Sequence, residues 1–349
     1  MKNHEPLDPR SILVRMPNWL GDAIMGTVAL VALKERYPEA GVTVLGRPVH
    51  EHLLRGLPAM DAFLPLEKKK GGRGIWRQGR RLRPLGFDLG VLLPNSFSSA
   101  AIFFLAGIPH RIGYNLNHRG IFLTRKRRPE MVNHRRLPTP MTEYYLKLLT
   151  LVDVEAEGIR PELVVLPDEE EELERYLENQ PLPPGDGPVV LINPGASFGP
   201  SKLWYGDGFA KVGDRLQEEI GARIVILAGP GEEMIAREIS EAMVRPHVGF
   251  FRQVLGLRGL KALVKQSDLM ITTDAGPRHL AVAFDRPAVV LMGATDPRYT
   301  NANLEKTTLI RHEVSCSPCH LKVCPTDHRC MKGITPEQVV QSARQRLGL

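Results

Sequence analysis

Long hydrophobic runs are missing from this sequence of 349 residues. Its longest uncharged apolar stretch, residues 98–109, is too short for a membrane-spanning helix, which needs roughly 18 to 20 residues. The first residues include Glu5, Asp8 and two prolines where a secretory signal would carry an apolar segment, so we expect a cytoplasmic protein. A hydrophobic content of 43% still allows a packed core, and the length predicts two domains.

Three signatures of common catalytic chemistries are also missing. The sequence has no G-x-x-x-x-G-K-[ST] motif, which argues against a P-loop that hydrolyses nucleoside triphosphates. No G-x-G-x-x-G fingerprint follows the first predicted strand, which argues against a nicotinamide-dependent oxidoreductase. No cluster of carboxylates suggests a catalytic metal, so we expect a site without a metal cofactor.

The net charge of +7 is unevenly distributed. Residues 1–160 contain 25 Lys and Arg against 14 Asp and Glu, whereas the rest of the chain is slightly acidic. The basic residues are bunched at Lys68, Lys69 and Lys70, at Arg73, Arg77, Arg80, Arg81 and Arg83, at residues 125–128, and at Arg135 and Arg136. Such bunching predicts an anionic partner, either a membrane surface or a phosphorylated substrate, unless the clusters are solvated loops. Few aromatic residues are interleaved with them, which argues against nucleic acid.

Apolar runs of strand length alternate with helical patterns in both halves of the chain. Predicted strands cover residues 12–15, 42–45, 89–93, 189–193, 224–228, 269–273 and 288–292, and predicted helices cover 23–37, 98–106, 141–151, 168–178, 209–219 and 232–243. A Pro- and Gly-rich loop at 181–188 follows the acidic helix, so the domain boundary is expected between 160 and 188. The alternation predicts two doubly wound α/β domains, 1–170 and 171–349, whose ligands bind at the carboxyl ends of the strands.

Two loops that follow predicted strands carry candidate catalytic groups. In PNWLGDA, residues 17–23, Asp22 lies near a helix N-terminus, where it could act as a general base or cap the helix. In NPGASFGPSKLW, residues 193–204, small residues, the hydroxyls of Ser197 and Ser201 and the cation of Lys202 form a candidate phosphate cradle. A surface turn with a solvated lysine is the alternative for the second loop.

Two further loops carry candidate sugar-binding carboxylates. In AGPGEE, residues 228–233, Glu232 could bind ribose hydroxyls, or it could interact with the helix dipole as a residue of the first turn. In TTDAGPRHL, residues 272–280, Asp274 could cap its helix or bind sugar hydroxyls, with His279 one turn further on. The backbone N–H groups of both loops could face an anion.

Five ordered segments carry a resemblance to a known family. They are ILVRMPNWLGDA at 12–23, LPNSFSSA at 93–100, AGIPHRIGY at 106–114, NPGASFGPSKLW at 193–204 and TTDAGPRHLAVAFDRPAVVLMGATDP at 272–297. Over about residues 12–346 the sequence resembles the ADP-heptose:lipopolysaccharide heptosyltransferases, and LPNSF and AGIPHR are most similar to heptosyltransferase II. The resemblance implies a GT-B fold, in which two Rossmann-like domains face a central cleft. The N-terminal domain would hold the acceptor and the C-terminal domain ADP-heptose, and the last helix is a candidate to pack back on the N-terminal domain.

The resemblance also implies roles for individual residues. Asp22 matches the aspartate of the family's G-D motif, which is the expected general base, and Lys202 matches the lysine expected at the diphosphate. The other expected donor-binding residues are Ser197, Glu232, Asp274, Ala275, Gly276 and His279, and the acceptor-side candidates are Asn95 and Ser96. Asn95 and Ser96 could equally form a turn with hydrogen-bonding side chains. Leu203 departs from relatives that have Arg or His there, which leaves an auxiliary contact from that position unsupported.

The activity implied by the resemblance is inverting, metal-independent transfer of L-glycero-D-manno-heptose from ADP-heptose to the first heptose of the lipopolysaccharide inner core. A cation and aimed amides would stabilise the leaving diphosphate, and the base would take a proton from the acceptor hydroxyl. The acceptor, lipid A-Kdo-heptose, is lipid-anchored and anionic. We therefore expect a peripheral protein on the inner face of the inner membrane, attracted to that anionic surface by its basic half.

Three other functions stay open at this point. Heptosyltransferase I or another core transferase would share the donor loops, because these report the nucleotide better than the acceptor. A nucleotide-sugar 2-epimerase shares the fold but would act on a UDP-sugar. A basic adaptor without enzymatic activity would leave the four loops unexplained.

All four cysteines lie in CSPCHLKVCPTDHRC, at Cys316, Cys319, Cys324 and Cys330. A Cys-x-x-Cys pair in a cytoplasmic protein suggests zinc more than a disulfide, but the second pair is separated by five residues. We therefore favour reduced or partly oxidised thiols in a surface loop over a structural zinc site.

Overall fold

The structure, a computed structural model, describes residues 6–67, 71–132 and 135–349. The lysine cluster Lys68, Lys69 and Lys70 and the side chain of Arg135 fall outside the described residues. The chain divides into two compact units. The first extends to Val164 and includes Arg298–Ala302, and the second comprises Val165–Pro297 and Asn303–Leu349.

The first unit is built on a parallel sheet of six strands. In chain order the strands are β1 Ser11–Arg15, β2 Gly41–Gly46, β3 Ala62–Pro65, β4 Leu89–Leu92, β5 His110–Tyr114 and β6 Arg125–Arg127, and a small antiparallel pair follows, β7 Met131–Val132 and β8 Arg135–Arg136. The spatial order is β3-β2-β1-β4-β5-β6. Strands β2 and β3 are therefore added on one side of β1, and β4 to β6 on the other side. Ligands of doubly wound sheets bind beside such a reversal of strand order, which here lies between β1 and β4.

Helices cover the first sheet. They are α1 Leu20–Met25, α2 Thr27–Arg36, α3 Pro48–Leu54, α4 Gly72–Leu82, α5 Phe97–Leu105 and α6 Met141–Leu149. The single helix predicted at 23–37 is wrong in two respects, because the helical segment begins at Leu20 and is interrupted at Gly26. A Cβ at Gly26 would lie 3.0 Å from Met16, so the chain packs closely at the interruption.

The second unit repeats the arrangement of the first. Its strands are β9 Val189–Asn193, β10 Arg223–Leu227, β11 Val248–Phe250, β12 Leu269–Thr273, β13 Ala288–Leu291 and β14 Thr307–Ile310, in the order β11-β10-β9-β12-β13-β14. All five strand pairs are parallel. The prediction of two doubly wound α/β domains is confirmed.

The helices of the second unit are α7 Pro167–Asn179, α8 Gly206–Ile220, α9 Glu233–Ala242, α10 Leu257–Gln266, α11 Arg278–Ala283, α12 Arg329–Lys332 and α13 Pro336–Leu347. The last helix, α13, which was a candidate to pack on the N-terminal domain, lies against α8, β13 and β14 of its own unit. Within the described residues, no helix combines the length and the apolar character needed to cross a bilayer.

The unit boundary differs from the predicted division at 170/171, which would cut α7 in two. Helix α7 packs on α10, where the ammonium of Lys261 lies 2.9 Å from the carboxylate of Glu169 and both side chains are fully buried. Leu173 of α7 is fully buried as well. Because α7 buries its inner face against α10, the whole helix belongs to the second unit, which begins at Val165.

Candidate active site

The second sheet brings Lys202 and Asp274 together. Strands β9 and β12 are parallel neighbours, with Asn193 opposite Thr272, and each leads into one of the predicted loops. The ammonium Nζ of Lys202 donates to Oδ2 of Asp274 at 2.6 Å and to its backbone oxygen at 2.8 Å. The two side chains are only 13% and 9% exposed. Lys202 is therefore not a solvated surface lysine.

Asp274 is shared between two cations. Arg278, one helical turn further on, places Nη1 2.6 Å from Oδ1, and the hydroxyl of Thr295 donates to Oδ2 at 2.5 Å. Burial by itself would raise the pKa of Asp274, but Arg278 and Lys202 lower it well below its usual value. The carboxylate therefore stays ionised and has three side-chain partners.

Trp204 anchors the turn that carries Lys202. Its indole is 2% exposed, donates to the backbone oxygen of Ile334 at 3.2 Å and meets Phe209 edge to face at 4.9 Å. The turn Pro200–Lys202 is a short 3-10 helix directly before it. A large buried ring two residues after Lys202 therefore fixes the position of the lysine.

Glu232 reaches across to the loop that follows β9. Its Oε2 accepts from the backbone N–H of Gly229 at 3.1 Å, and a Cβ at Gly195 would lie 1.8 Å from the same oxygen. A side chain at position 195 would therefore displace the carboxylate of Glu232. Burial raises the pKa of Glu232. Helix α9 begins at Glu233, so the first-turn acid is Glu233 and Glu232 lies before it.

The remaining donor-side candidates surround this pair of loops. Ser197 is exposed in the turn between β9 and Lys202. The N–H of Ala275 donates to the backbone oxygen of Thr273 at 2.8 Å, so that amide is already used within its turn. His279 is buried, and burial together with Arg278 lowers its pKa to about 3, which keeps the imidazole neutral near pH 7. His279 N–H donates to the oxygen of Gly276.

In the first unit, Asp22 lies on α1, the helix that follows β1, and β1 is one of the two strands at the reversal. Helix α1 begins at Leu20 after the N-cap residue Trp19, so the alternative in which Asp22 is the N-cap is wrong. Asp22 occupies the first turn and is half-buried. Burial, and to a smaller extent the charge of Asp22, raise the pKa of the Tyr145 phenol, and α6, which carries Tyr145, contacts α1.

Asn95 and Ser96 follow β4, the other strand at the reversal. Nδ2 of Asn95 donates to the hydroxyl of Tyr144 at 3.0 Å, and its Oδ1 accepts from Nη2 of Arg119 at 3.0 Å. Ser96 is the N-cap of α5 and accepts from the N–H of Ser99. Both side chains are hydrogen-bonded within the unit, and their contacts with an acceptor stay predictions.

Four polar residues at these sites were not predicted from the sequence as site residues, namely Arg278, Thr295, Arg119 and Arg136. Arg278 could have been found, since it stands four residues after Asp274 in TTDAGPRHL, where an arginine on a helix reaches an aspartate. Arg136, whose Cζ lies 3.9 Å from the ring centroid of Tyr144, has no such local signal. Arg136 lies on β8 and Tyr144 on α6, so their contact depends on how these two elements pack.

The four cysteines are free thiols, from Cys316, which is exposed, to Cys330, which is buried against Gly293. In the part of the chain that the structure describes, no three His, Cys, Asp or Glu side chains are grouped so that they could hold a metal ion.

The family profile of glycosyltransferase family 9 (heptosyltransferase) matches residues 75–329, which include Lys202, Glu232 and Asp274. The chain belongs to this family. Lipooligosaccharide heptosyltransferase 2 of Haemophilus influenzae is 29% identical over 353 residues, which cover 97% of this chain and 99% of the relative. Lipopolysaccharide heptosyltransferase 2 of Escherichia coli is 29% identical over 348 residues, which cover 95% and 96%.

Solved structures agree with the sequence relatives. The structure of E. coli ADP-heptose lps heptosyltransferase II superposes on this family 9 chain with a TM-score of 0.80 and 26% identity, covering 97% of this chain and 98% of that one. The predicted GT-B class with two Rossmann-like domains is confirmed, as are the family and the assignment to glycosyltransferase enzymes. The alternative of an adaptor without enzymatic activity is wrong. A UDP-GlcNAc 2-epimerase from Methanocaldococcus jannaschii, 10% identical with a TM-score of 0.53, shares the fold alone.

Proposed function

We propose that this chain transfers L-glycero-D-manno-heptose from ADP-heptose to the first heptose of the lipopolysaccharide inner core, with inversion at the anomeric carbon. The observation that carries the proposal is the buried pair of Lys202 and Asp274 at the strand reversal of the second sheet. In a doubly wound unit this is the edge where nucleotides bind. Relatives named heptosyltransferase 2 align with nearly the whole chain and support the choice of sugar and acceptor.

The second unit would bind the donor. When the diphosphate arrives, Lys202 turns from Asp274 to the phosphate oxygens, while Arg278 and Thr295 keep Asp274 hydrogen-bonded. Negative charge grows on the diphosphate as its bond to the sugar breaks, and a fixed cation stabilises that charge. The other donor contacts are Glu232 at the ribose, Asp274 at the heptose, and Ser197, Ala275, Gly276 and His279 around the phosphates and sugar.

Because Lys202 supplies the charge that a divalent cation supplies in other transferases, the reaction needs no metal cofactor. A sugar hydroxyl is a weak nucleophile at neutral pH, so transfer also needs a base. Asp22 in the first unit takes the hydroxyl proton while the oxygen bonds to the anomeric carbon and the diphosphate leaves. Asn95 and Ser96 lie at the neighbouring strand end and contact the acceptor.

The acceptor, lipid A-Kdo-heptose, places the enzyme at the inner face of the inner membrane, in the cytoplasm. Not all of the basic clusters are available for this surface. Arg125 is buried and donates to the oxygen of Leu151, Lys126 donates to the oxygen of Gly120, and Arg127 donates to the hydroxyl of Thr150. The 125–127 run is thus largely used inside the first unit.

A mixed aromatic and arginine surface on α4 and α5 is the better candidate. Trp76 is 53% exposed, with the guanidinium of Arg80 4.9 Å from its ring, and both line one surface groove with Arg83 and Leu105. Phe104, next to Leu105, is 49% exposed. Aromatic rings that enter the headgroup layer beside cationic side chains are typical of proteins that lie on anionic membranes. We assign the membrane contact to this α4–α5 surface.

The test of the proposed activity is product analysis with the purified protein, ADP-heptose and two acceptors. One acceptor ends in Kdo and the other in the first heptose. We expect mass spectrometry to detect one added heptose on the heptose-ended acceptor only. Transfer to the Kdo-ended acceptor instead would identify a heptosyltransferase I activity, and transfer to neither would contradict the proposal.

A further inference from the structure

The segment that carries the four cysteines, residues 316–330, has no role in the proposed reaction. We call it the cysteine segment. It connects β14 to α12 and is largely exposed. Its polar contacts nevertheless reach two turns of the second unit, and both turns belong to the candidate donor site.

The first turn is the one before Lys202. The N–H of Ser201 donates to the oxygen of Lys322 at 3.0 Å, and its hydroxyl donates to the oxygen of Leu321 at 2.5 Å. Nε2 of His328 lies 2.8 Å from the backbone oxygen of Ser201. Because a carbonyl oxygen only accepts, Nε2 carries the proton and donates. The residue directly before the catalytic lysine is therefore held at three points.

The second turn follows β13. The N–H of His320 donates to the oxygen of Ala294 at 2.8 Å, and the hydroxyl of Ser317 donates to the oxygen of Gly293 at 2.7 Å. Sγ of Cys330 packs so closely that a Cβ at Gly293 would lie 2.8 Å from it. Thr295, which follows Ala294 in the chain, donates its hydroxyl to Asp274. The cysteine segment thus contacts the supports of both Lys202 and Thr295.

We propose that the cysteine segment is a clamp that positions Lys202 and Asp274 for the diphosphate of the nucleotide sugar, with His328 as its main positioning residue. The inference rests on the proposed function and deepens it. Side chains that stabilise a developing charge must be held in position by neighbouring residues, because a small displacement strongly weakens their interaction with that charge. The clamp offers such support from a segment whose residues 316–328 lie outside helices and strands. Loosening it should therefore lower the affinity for the nucleotide more than the stability of the fold.

His328→Ala tests the clamp, and His328→Gln is the conservative variant, since its amide can donate to the oxygen of Ser201. The matched control is His247→Ala, which also loses a histidine contact to a backbone oxygen, that of Arg245, but lies beside β11. The measurements are the Kd of ADP by calorimetry, the kcat and KM for ADP-heptose, and the Tm.

One hydrogen bond contributes about 0.5 to 1.5 kcal/mol, so we expect His328→Ala to weaken ADP binding about 2- to 10-fold. KM for ADP-heptose should rise by the same factor, and His328→Gln should restore both. Tm should fall no more than it does in the control. An unchanged Kd in His328→Ala together with a lower Tm would show a merely structural contact and overturn the clamp.

A second measurement needs no variant. Coupling is reciprocal, so saturating ADP should slow the reaction of Cys319, whose Sγ lies 3.9 Å from the oxygen of Ala294, with iodoacetamide. In this reaction the thiolate displaces iodide, and peptide mass spectrometry follows it at each cysteine. Exposed Cys316 is the internal control, because it precedes the contacts described above, which begin at Ser317. Equal slowing at both cysteines, or slowing at neither cysteine, would count against the clamp.

A wild-type chain that binds ADP but transfers no heptose would contradict the proposed function while leaving the clamp testable.

Discussion

Lys202 and Asp274 stand 72 residues apart in the sequence, yet Nζ of the lysine lies 2.6 Å from Oδ2 of the aspartate. The contact exists because β9 and β12 are neighbours and their loops leave the same edge of the sheet. Since Arg278 and Thr295 also hold Asp274, the lysine can turn to a diphosphate without leaving a buried carboxylate unpaired. In the proposed reaction, Lys202 exchanges the carboxylate of Asp274 for the diphosphate.

Lys202→Met should lower kcat about 100- to 1,000-fold, because the growing charge on the diphosphate loses its fixed cation. ADP should also bind more weakly. Steady-state kinetics and calorimetry measure the two effects. Lys265→Met is the matched control, since Lys265 pairs with Glu170 on the surface of α10. Turnover in Lys202→Met that equals the control would refute the role of Lys202.

Asp22→Asn should lower kcat about 100- to 10,000-fold, the usual contribution of a general base. The Kd of ADP should stay unchanged, because Asp22 belongs to the first unit and is assigned to the acceptor. Asp207→Asn, which also removes an acid from the first turn of a helix, is the control. If the purified Asp22→Asn variant turned over at the wild-type rate, another group would have to be the base.

Enzyme treated with EDTA should transfer heptose at its full rate without added divalent cation, because the proposed reaction assigns stabilisation of the diphosphate charge to Lys202. The measurement is the initial rate before and after chelation, with Mg²⁺, Mn²⁺ and Zn²⁺ added back separately. Loss of activity that Mg²⁺ or Mn²⁺ restores would contradict this prediction. Restoration by Zn²⁺ alone would point to the cysteines instead.

Arg80→Gln combined with Arg83→Gln should weaken sedimentation with phosphatidylglycerol vesicles at least about tenfold, since each cation near an anionic surface contributes about 1 kcal/mol. Binding should also fall with salt, because the Debye length is about 10 Å at 0.1 M. Trp76→Ala should weaken binding even at high salt, where only apolar insertion remains. Arg237→Gln, with one exposed arginine removed from the second unit, is the control. Vesicle binding by the double variant at the wild-type level would mean that these arginines are merely solvated.

Acidification should lower the free energy of unfolding at pH values well above those at which carboxylates titrate. Burial and the nearby charge of Arg278 lower the pKa of His279 to about 3. Burial and the nearby charge of Arg15 lower the pKa of His50 to about 4, whereas both histidines have a pKa of 6.5 in the unfolded chain. Below pH 6.5 the unfolded state therefore binds protons that the folded state does not. The free energy of unfolding should fall by about 1 kcal/mol for each histidine between pH 7 and 5.5. Urea denaturation measures the fall, and a His50→Gln variant that kept the full fall would exclude His50 as a source.

Parts of the fold follow from local sequence alone. Strands β9 and β12 match their predicted ends because each begins with an apolar run, VVLI in β9 and LMI in β12, and is buried on both faces as parallel strands are. Helix α4 was missed, because GRGIWRQGRRL contains three glycines, which have low helix propensity. It is helical because Gly79 lets it approach α5, where a Cβ would lie 2.5 Å from Leu105. That support comes from packing, which no local pattern encodes.

The same division holds for the site. Asp22, Lys202, Glu232 and Asp274 could be found because each follows an apolar strand in a loop of small residues, and this order is local. Their partners could not, since hydrogen bonds between loops depend on which strands become neighbours. The spatial order β10-β9-β12 places Glu232 against Gly195 and Lys202 against Asp274, with the chain passing from one edge of the sheet to the other between them. Neighbouring strands are chosen by the burial of whole helices and sheets, a free energy that is summed over the unit and not contained in any one motif.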